Sequence, residues 1–259
     1  MTLDYGFTGN EDDLLVVTDA QFDFTYGVLG TTQAIRILPA MRRFIQNFRG
    51  KKVWTKDTHQ NDYLDTQEGR LLPVPHTIFM TKGWRIDPSL AALVREDTPV
   101  FEKDIFGSMA LYEYIRSNHF KRVFLIGFCT GICVISNAVL ARTADPELEV
   151  HVIGNLCACV NAKTHKTALD AMKTLQMYID EIDLPVPDYH IAETDGMAWV
   201  TAQKTPDSNL DLEEAYIAAE RDGIRLIRVT ELPVNTPLGM KHGGWPDTYA
   251  NRKALEKYA

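Results

Sequence analysis

Four short apolar runs stand out along the chain: Leu14–Val17, Lys51–Thr55, Arg122–Ile126 and Glu149–Ile153. Each is rich in β-branched residues and too short for a helix, so each predicts a strand, the first a buried parallel one. Between and after them apolar residues recur at helical spacing. Ile35, Leu38, Met41, Phe44, Ile45 and Phe48 share one such face, and Ala168, Ala171, Met172 and Leu175 share another. The pattern predicts further helices over Ser108–Asn118, Ile132–Arg142 and His165 to about Tyr178. Pro39 lies inside the first helical pattern, so that helix is expected to begin near it, with Gly50 as its stop. Strands alternating with helices predict an α/β fold, three layers deep, with a mostly parallel sheet.

The stretch from Thr58 to about Pro88 is rich in Asp, Gly and Pro, and a connection this long is usually functional. Val123 to Ala141 carries no charge and reaches the length of a membrane span. However, Gly127, Thr130, Gly131, Ser136 and Asn137 break it, which favours a buried strand, a turn and a buried helix. Beyond about Asp180 prolines cluster, and the segment 205–209 reads as a turn or linker. Leu210–Asp222 reads as a helix, Ile224–Thr230 as a strand and 241–247 as a loop. The expected organisation is one domain over 1–185 with an extension over 186–259 packed on it.

Length and composition narrow the function. The chain has 259 residues, 45% hydrophobic and 24% charged, with a net charge of −8. This is a globular composition, and the acidic balance gives no electrostatic footprint for nucleic acid. The N-terminus is acidic and polar, unlike a signal peptide. The four cysteines, Cys129, Cys133, Cys157 and Cys159, are too few for a disulfide scaffold and are expected to be reduced thiols in a cytoplasmic protein. Their spacing is poor for a zinc finger.

Ligands of open α/β sheets bind beyond the carboxyl ends of the strands. Asp19 follows the first strand, Asp57 and His59 the second, and the segment FCTGIC the third. Cys133, opening a helix, is placed for a dipole-lowered pKa, and the backbone N–H groups there could hold an oxyanion. Cys129, Cys157 and Cys159 fit a structural role better. Asp57, His59 and His76 are a donor set for zinc, iron or manganese, with Glu68 as a fourth candidate. Taken singly, a surface Asp-x-His is as common as a metal site. His165, at a helix start, reads as a cap or packing residue. Lys103 gains interest only if it lies beside Asp19 and Cys133.

Together these segments resemble the isochorismatase-like cysteine hydrolases, and within them the nicotinamidases. The segments that carry the resemblance are LLVVTDAQFDF (14–24), VWTKDTH (53–59), LLPVPH (71–76), VFEK (100–103) and GFCTGICV (127–134), in family order. It covers roughly residues 12–180. The resemblance implies a catalytic triad of Asp19, Lys103 and Cys133, with a thioester formed on Cys133. It implies a cis peptide between Phe128 and Cys129 and an oxyanion hole from the N–H groups of Cys129 and Cys133. It implies a divalent metal, zinc ahead of iron or manganese, on Asp57, His59 and His76 with Glu68 nearby. Phe24 would line the substrate pocket. Thr58 stands where the family often has Trp, so Tyr63 or Trp84 is expected to supply the missing aromatic wall. The function implied is hydrolysis of nicotinamide to nicotinate and ammonia. Another carbon–nitrogen hydrolase acting on a carbamoyl or ureido amide is the alternative, and a catalytically silent binding member a third reading. The expected partner is a small-molecule amide, with no nucleic acid and no membrane; a homo-oligomer is left open.

Overall fold

The computed structural model describes residues 2–4, 6–185, 187, 189–194, 197–202, 212–227 and 245–255. Seven strands form the main sheet: β1 (Thr2–Leu3), β2 (Asp13–Thr18), β3 (Lys51–Asp57), β4 (Val100–Lys103), β5 (Arg122–Phe128), β6 (Glu149–Ala158) and β7 (Tyr178–Ile182). The helices that accompany them are α1 (Phe22–Thr25), α2 (Thr32–Asn47), α3 (Gln67–Leu71), α4 (Pro88–Ala91), α5 (Met109–Asn118), α6 (Ile135–Ala144) and α7 (Ala162–Thr174). A hairpin of β8 (Tyr189–Thr194) and β9 (Met197–Ala202), helix α8 (Leu212–Arg221), a bridge of β10 (Leu226–Ile227) with β11 (Trp245–Pro246), and α9 (Tyr249–Leu255) follow.

All six pairings of the main sheet are parallel, in the order β1-β7-β6-β5-β2-β3-β4. From β2 the chain steps outward through β3 and β4. It then returns to the other side of β2 and steps outward again through β5, β6 and β7. The reversal leaves a crevice between the carboxyl ends of β2 and β5, where ligands of such sheets bind.

Alternation along the strands builds the layers. Leu15, Val17, Trp54, Phe124 and Ile126 join one buried cluster with Ile35, Leu38, Met41 and Phe44 of α2. Leu14, Val16, Val53, Val123 and Leu125 join the other with Leu111 and Ile115 of α5, Ala138 and Ala141 of α6 and Met172 of α7. Successive side chains of a strand point to opposite faces, so both faces of this sheet are covered. Ile191, Val200, Ala215 and Ala219 of the C-terminal elements belong to the α2-side cluster. The Tyr26 hydroxyl accepts from Arg225 N at 3.0 Å and its carbonyl from Tyr249 N at 2.6 Å.

The structure corrects several expectations. Helix α2 begins at Thr32, and Pro39 lies in its interior. Thr31 caps it by accepting from Ala34 N, and the buried apolar face runs from Ala34 to Ile45. Burying that face outweighs the roughly 3 kcal/mol an interior proline costs. Gly50 is not the helix stop, since Phe48 is the C-cap; a Cβ on Gly50 would lie 2.4 Å from Asp13 O. Asn161 caps α7, so His165 is not a cap. Strand β6 runs on to Ala158, α7 stops at Thr174, short of the expected end near Tyr178, and β7 begins at Tyr178. The uncharged stretch 123–141 divides into β5, a π-helical turn over Thr130–Val134 and α6. Among the described residues no helix is long and apolar enough to cross a membrane. The expected turn at 205–209, the end of the strand at 228–230 and loop residues 241–244 lie outside the described residues.

Gly127 sets the spacing of the crevice. Its φ is +123°, and a Cβ there would lie 2.0 Å from Thr18 O. No L side chain fits this position without separating β5 from β2. Gly127→Ala is therefore expected to destabilise the protein by about 3 kcal/mol or more, read as a lower urea midpoint; an unchanged midpoint would show that the two strands can part freely.

Candidate active site and metal centre

Three strand ends deliver a compact charged cluster to the crevice. Asp19 follows β2, Lys103 closes β4, and Cys133 lies in the π-helical turn after β5. Lys103 Nζ is 2.7 Å from Asp19 Oδ2, 3.6 Å from Cys133 Sγ and 3.3 Å from Asp57 Oδ1. All four residues are buried, Cys133 being 5% exposed. Asp19 adopts φ +45°, an outlier of the sort that concentrates at functional sites. Thr55 holds it there: its hydroxyl donates to Asp19 Oδ1 at 2.6 Å, and Asp19 N donates to Thr55 O at 3.2 Å.

Burial works against the Lys103 charge, but Asp19, Cys133 and Asp57 around it hold its pKa above the usual lysine value. Burial raises the Asp19 pKa and Lys103 opposes the rise. Burial, then the Asp19 carboxylate, also push the Cys133 thiol well above its ordinary pKa, against the pull of Lys103. This corrects the expectation of a dipole-lowered thiolate. Desolvation outweighs the helix terminus, so the resting sulfur is a thiol that needs a base.

Next to this cluster lie Asp57, His59 and His76, whose ligand atoms all fall within 4.8 Å of one another. His59 Nε2 is 3.1 Å and His76 Nε2 3.4 Å from Asp57 Oδ2. The loop carrying His76 is strapped to the extension of β3: His59 N donates to Thr77 O at 3.2 Å and Phe79 N to His59 O at 2.8 Å. His76 Nδ1 is 2.8 Å from Val74 O. A carbonyl can only accept, so Nδ1 carries the proton and Nε2 presents its lone pair to the cluster. His59 Nε2 is buried without a hydrogen-bond partner. Two imidazole nitrogens and a carboxylate, one nitrogen otherwise orphaned, fit a divalent cation well. Glu68 Oε1 stands farther off, 3.9 Å from His59 Nε2 and 3.8 Å from His76 Nε2. Burial alone would raise the Asp57 pKa, but His59 and His76 beside it and the Lys103 charge hold it below the carboxylate range.

A cavity of about 680 Å³ opens onto both clusters, and Phe24, Asp57, Glu68, His76, Cys129 and Cys133 are among its lining residues. Tyr63 and Trp84 do not line it. The Tyr63 ring lies 4.7 Å from His59 in a tilted contact and 5.0 Å from His76 edge-on, and its hydroxyl donates to Leu72 O at 2.9 Å. It therefore backs the imidazoles instead of walling the pocket. Trp84 turns away: its indole N–H donates to Thr58 Oγ1 at 2.9 Å and Lys56 Nζ sits over its ring. The Phe128–Cys129 peptide is cis.

Nothing in the sequence pattern assigns a role to Gln21, Thr77 or Asn137, yet each helps to build this site. Gln21 clamps the end of β3, its Oε1 accepting from Asp57 N and its Nε2 donating to Asp57 O, both at 2.8 Å, and to Trp84 O at 2.9 Å. Thr77 Oγ1 donates to Asp57 Oδ2 at 2.8 Å, and Asp23 Oδ2 accepts from Thr77 N at 2.8 Å. Asn137 donates to Cys133 O at 2.8 Å and accepts from Ser108 N at 3.0 Å. His165 Nδ1 pairs with Thr130 Oγ1 at 2.8 Å. A hydrogen bond from Cys129, with others from Thr164 and the backbone, pulls the Cys159 thiol down to about 5. A polar side chain two or three positions beyond a strand end was the signal for Gln21. Gln21→Leu would orphan the two buried backbone groups of Asp57 and the partly buried Trp84 O, and is expected to destabilise the fold by about 3 kcal/mol, measured by chemical denaturation; a loss under about 1 kcal/mol would mean that water replaces the clamp.

The residues gathered here can perform acyl transfer: a thiol nucleophile, a carboxylate to move its proton, a lysine to hold that carboxylate and a neighbouring cation site. Comparison with known proteins agrees. The Isochorismatase domain model matches residues 13–182. No curated protein sequence matches the chain. Among solved structures, a nicotinamidase from Bacillus subtilis is 25% identical at a TM-score of 0.56, covering 66% of this chain and 99% of its own. A pyrazinamidase of Pyrococcus horikoshii, solved in complex with zinc, is 23% identical with the same TM-score and coverage. An N-carbamoylsarcosine amidase from Thermoplasma acidophilum is 19% identical at a TM-score of 0.55, covering 67% of this chain and 98% of its own. With the family model spanning most of the chain and the fold shared with these enzymes, the protein belongs to the isochorismatase-like hydrolase family.

Proposed function

We propose that the protein is a metal-dependent cysteine amidohydrolase that converts nicotinamide and water to nicotinate and ammonia. The observation that carries this reading is the position of Lys103, whose ammonium touches Asp19, Cys133 and Asp57 at once. The nucleophile and the metal cluster thus share one buried contact. Asp19 takes the Cys133 proton as the sulfur attacks the amide carbon. The N–H groups of Cys129 and Cys133 receive the charge that develops on the carbonyl oxygen. Asp19 then gives its proton to the departing ammonia, leaving a thioester. Water attacks the thioester, Asp19 takes the water proton and returns it to sulfur, and the carboxylate product leaves. Lys103 keeps Asp19 oriented throughout. Asp57, His59 and His76, with Glu68 at longer range, would hold a divalent cation, zinc ahead of iron or manganese; when bound it supplies a Lewis acid that anchors the ring nitrogen. Phe24 packs against the ring.

Hydrolysis of a carbamoyl or ureido amide is the second reading, favoured by the likeness to N-carbamoylsarcosine amidase. The cavity weighs against it for acidic substrates. Its described lining carries Asp57 and Glu68 and no Lys or Arg, while Lys103 is committed to Asp19 and Asp57. A neutral aromatic amide suits these walls better than a carboxylate-bearing one. The proposed setting is nicotinamide salvage in a reducing cytoplasm, in keeping with four free thiols. Zinc-loaded protein is expected to release ammonia from nicotinamide at about 1 s⁻¹ or faster and to lose that activity to a chelator. Ammonia from ureido compounds alone would overturn the nicotinamide assignment.

A further inference from the structure

The cavity is built for more than a single ring. Its reacting residues are buried, Cys133, Asp57 and His76 among them. Its outer walls are largely apolar and open to solvent: Leu71 is 79% exposed, Val160 65% and Ile105 51%, with Phe106 and Ile132 beside them and Gln67 as a polar neighbour. The space therefore runs from a buried polar floor to an exposed apolar mouth. At about 680 Å³ it falls within the range of roughly 300–1,000 Å³ found for pockets that enclose drug-sized ligands. A lone pyridine carboxamide would occupy the floor and leave the mouth in water. Exposed apolar side chains gathered at the rim of a cleft are a binding feature, not ordinary surface. The described lining also holds no Lys or Arg to pair with an anionic group.

Resting on the amidase reading, we infer that the preferred substrate is a neutral aromatic primary carboxamide carrying an apolar substituent of several carbons, which lies between Leu71, Ile105, Phe106 and Val160. The carboxamide reaches Cys133 and the substituent fills the mouth. Each methylene taken from water into such a site adds up to about fourfold in affinity, so a short alkyl chain has a measurable effect.

The test compares ammonia release from nicotinamide with that from positional isomers of butyl-nicotinamide, using the zinc-loaded full-length protein. The best isomer is expected to exceed nicotinamide about tenfold in kcat/KM, chiefly through KM. A best isomer less than threefold better overturns the inference while hydrolysis of the parent keeps the amidase reading; any larger gain supports it. No ammonia from any member of the panel overturns both. Val160→Asp places a charge at the mouth on an exposed residue that the fold does not depend on. It is expected to cut the butyl-over-parent ratio at least threefold. A ratio unchanged in this variant and in Ile105→Asp would show that the gain arises elsewhere and would overturn the assigned location.

Discussion

Cys133→Ala is expected to lower kcat/KM for amide hydrolysis by about 10,000-fold or more. The sulfur is the atom that forms the thioester, and no other described group can replace it. Cys129 lines the same cavity, but its thiol is committed to Cys159 and its pKa is raised well above the ordinary value, first by that hydrogen bond and then by burial. Water activated by Asp19 would have to attack the amide directly. The substitution leaves the rest of the cluster intact, since the 2.7 Å contact of Lys103 with Asp19 does not involve the sulfur. Alanine removes one buried atom from a turn whose backbone is held by Asn137 at Cys133 O. Stability should therefore fall by no more than about 1–2 kcal/mol. Steady-state ammonia release measures the activity, and denaturation with metal analysis shows that fold and cation remain. Wild-type protein quenched during turnover should carry an acyl mass that the variant lacks. A variant that keeps more than about one percent of activity would exclude the covalent route.

Much of this site was legible because its chemistry sits where the strand pattern ends. Leu14–Val17, Lys51–Thr55 and Arg122–Ile126 all lie in strands with buried apolar centres, and the residues just beyond them converge at the crevice between β2 and β5. Lys103 was harder, because one lysine at the end of a four-residue strand looks like any solvated charge; only its pairing with Asp19 distinguishes it. Edge elements were not legible. The segment Tyr178–Ile182 mixes exposed and buried positions and holds no run of apolar residues, so nothing in its pattern predicts a strand. Pro39 misled because local backbone preference is weaker than the packing of a whole amphipathic face. Tyr63 and Trp84 have the right residue type for a pocket wall, but the direction of a side chain on an irregular loop has no periodicity to reveal it. Hydrogen bonds to Leu72 O and Thr58 Oγ1 set those directions, and both partners are distant from any pattern in the sequence. The raised thiol of Cys133 was missed for a related reason: a helix terminus is visible in sequence, but the depth of burial opposing it is not.

His76→Ala should reduce metal affinity by about 1,000-fold or more and abolish activity at equimolar metal. His76 supplies one of the three buried ligand atoms, from a loop held to β3 by the bonds between His59, Thr77 and Phe79. Its removal leaves Asp57 and His59, too few for a closed set, beside the half-buried Glu68. The His76 Nδ1 bond to Val74 O fixes the ring before any cation arrives, so the lost ligand is a preorganised one. Glu68→Gln provides the contrast. Glu68 Oε1 lies 3.8 Å from His76 Nε2, against 3.4 Å for Asp57 Oδ2, so its amide should weaken binding by about tenfold and leave one equivalent bound. Metal analysis after dialysis, with titration of a competing chelator, separates the two variants. If His76→Ala retains wild-type affinity, the three residues are not the metal site, and the buried His59 Nε2 needs another partner. If metal is lost but Cys133 still forms its acyl adduct with nicotinamide at the wild-type rate, the cluster serves the fold and not the substrate. The shared contact of Lys103 with Asp57 and Cys133 argues for the opposite outcome. Emptying the cluster leaves Asp57 without its cation beside that lysine, so the loss should reach the nucleophile as a fall in kcat as well as in binding.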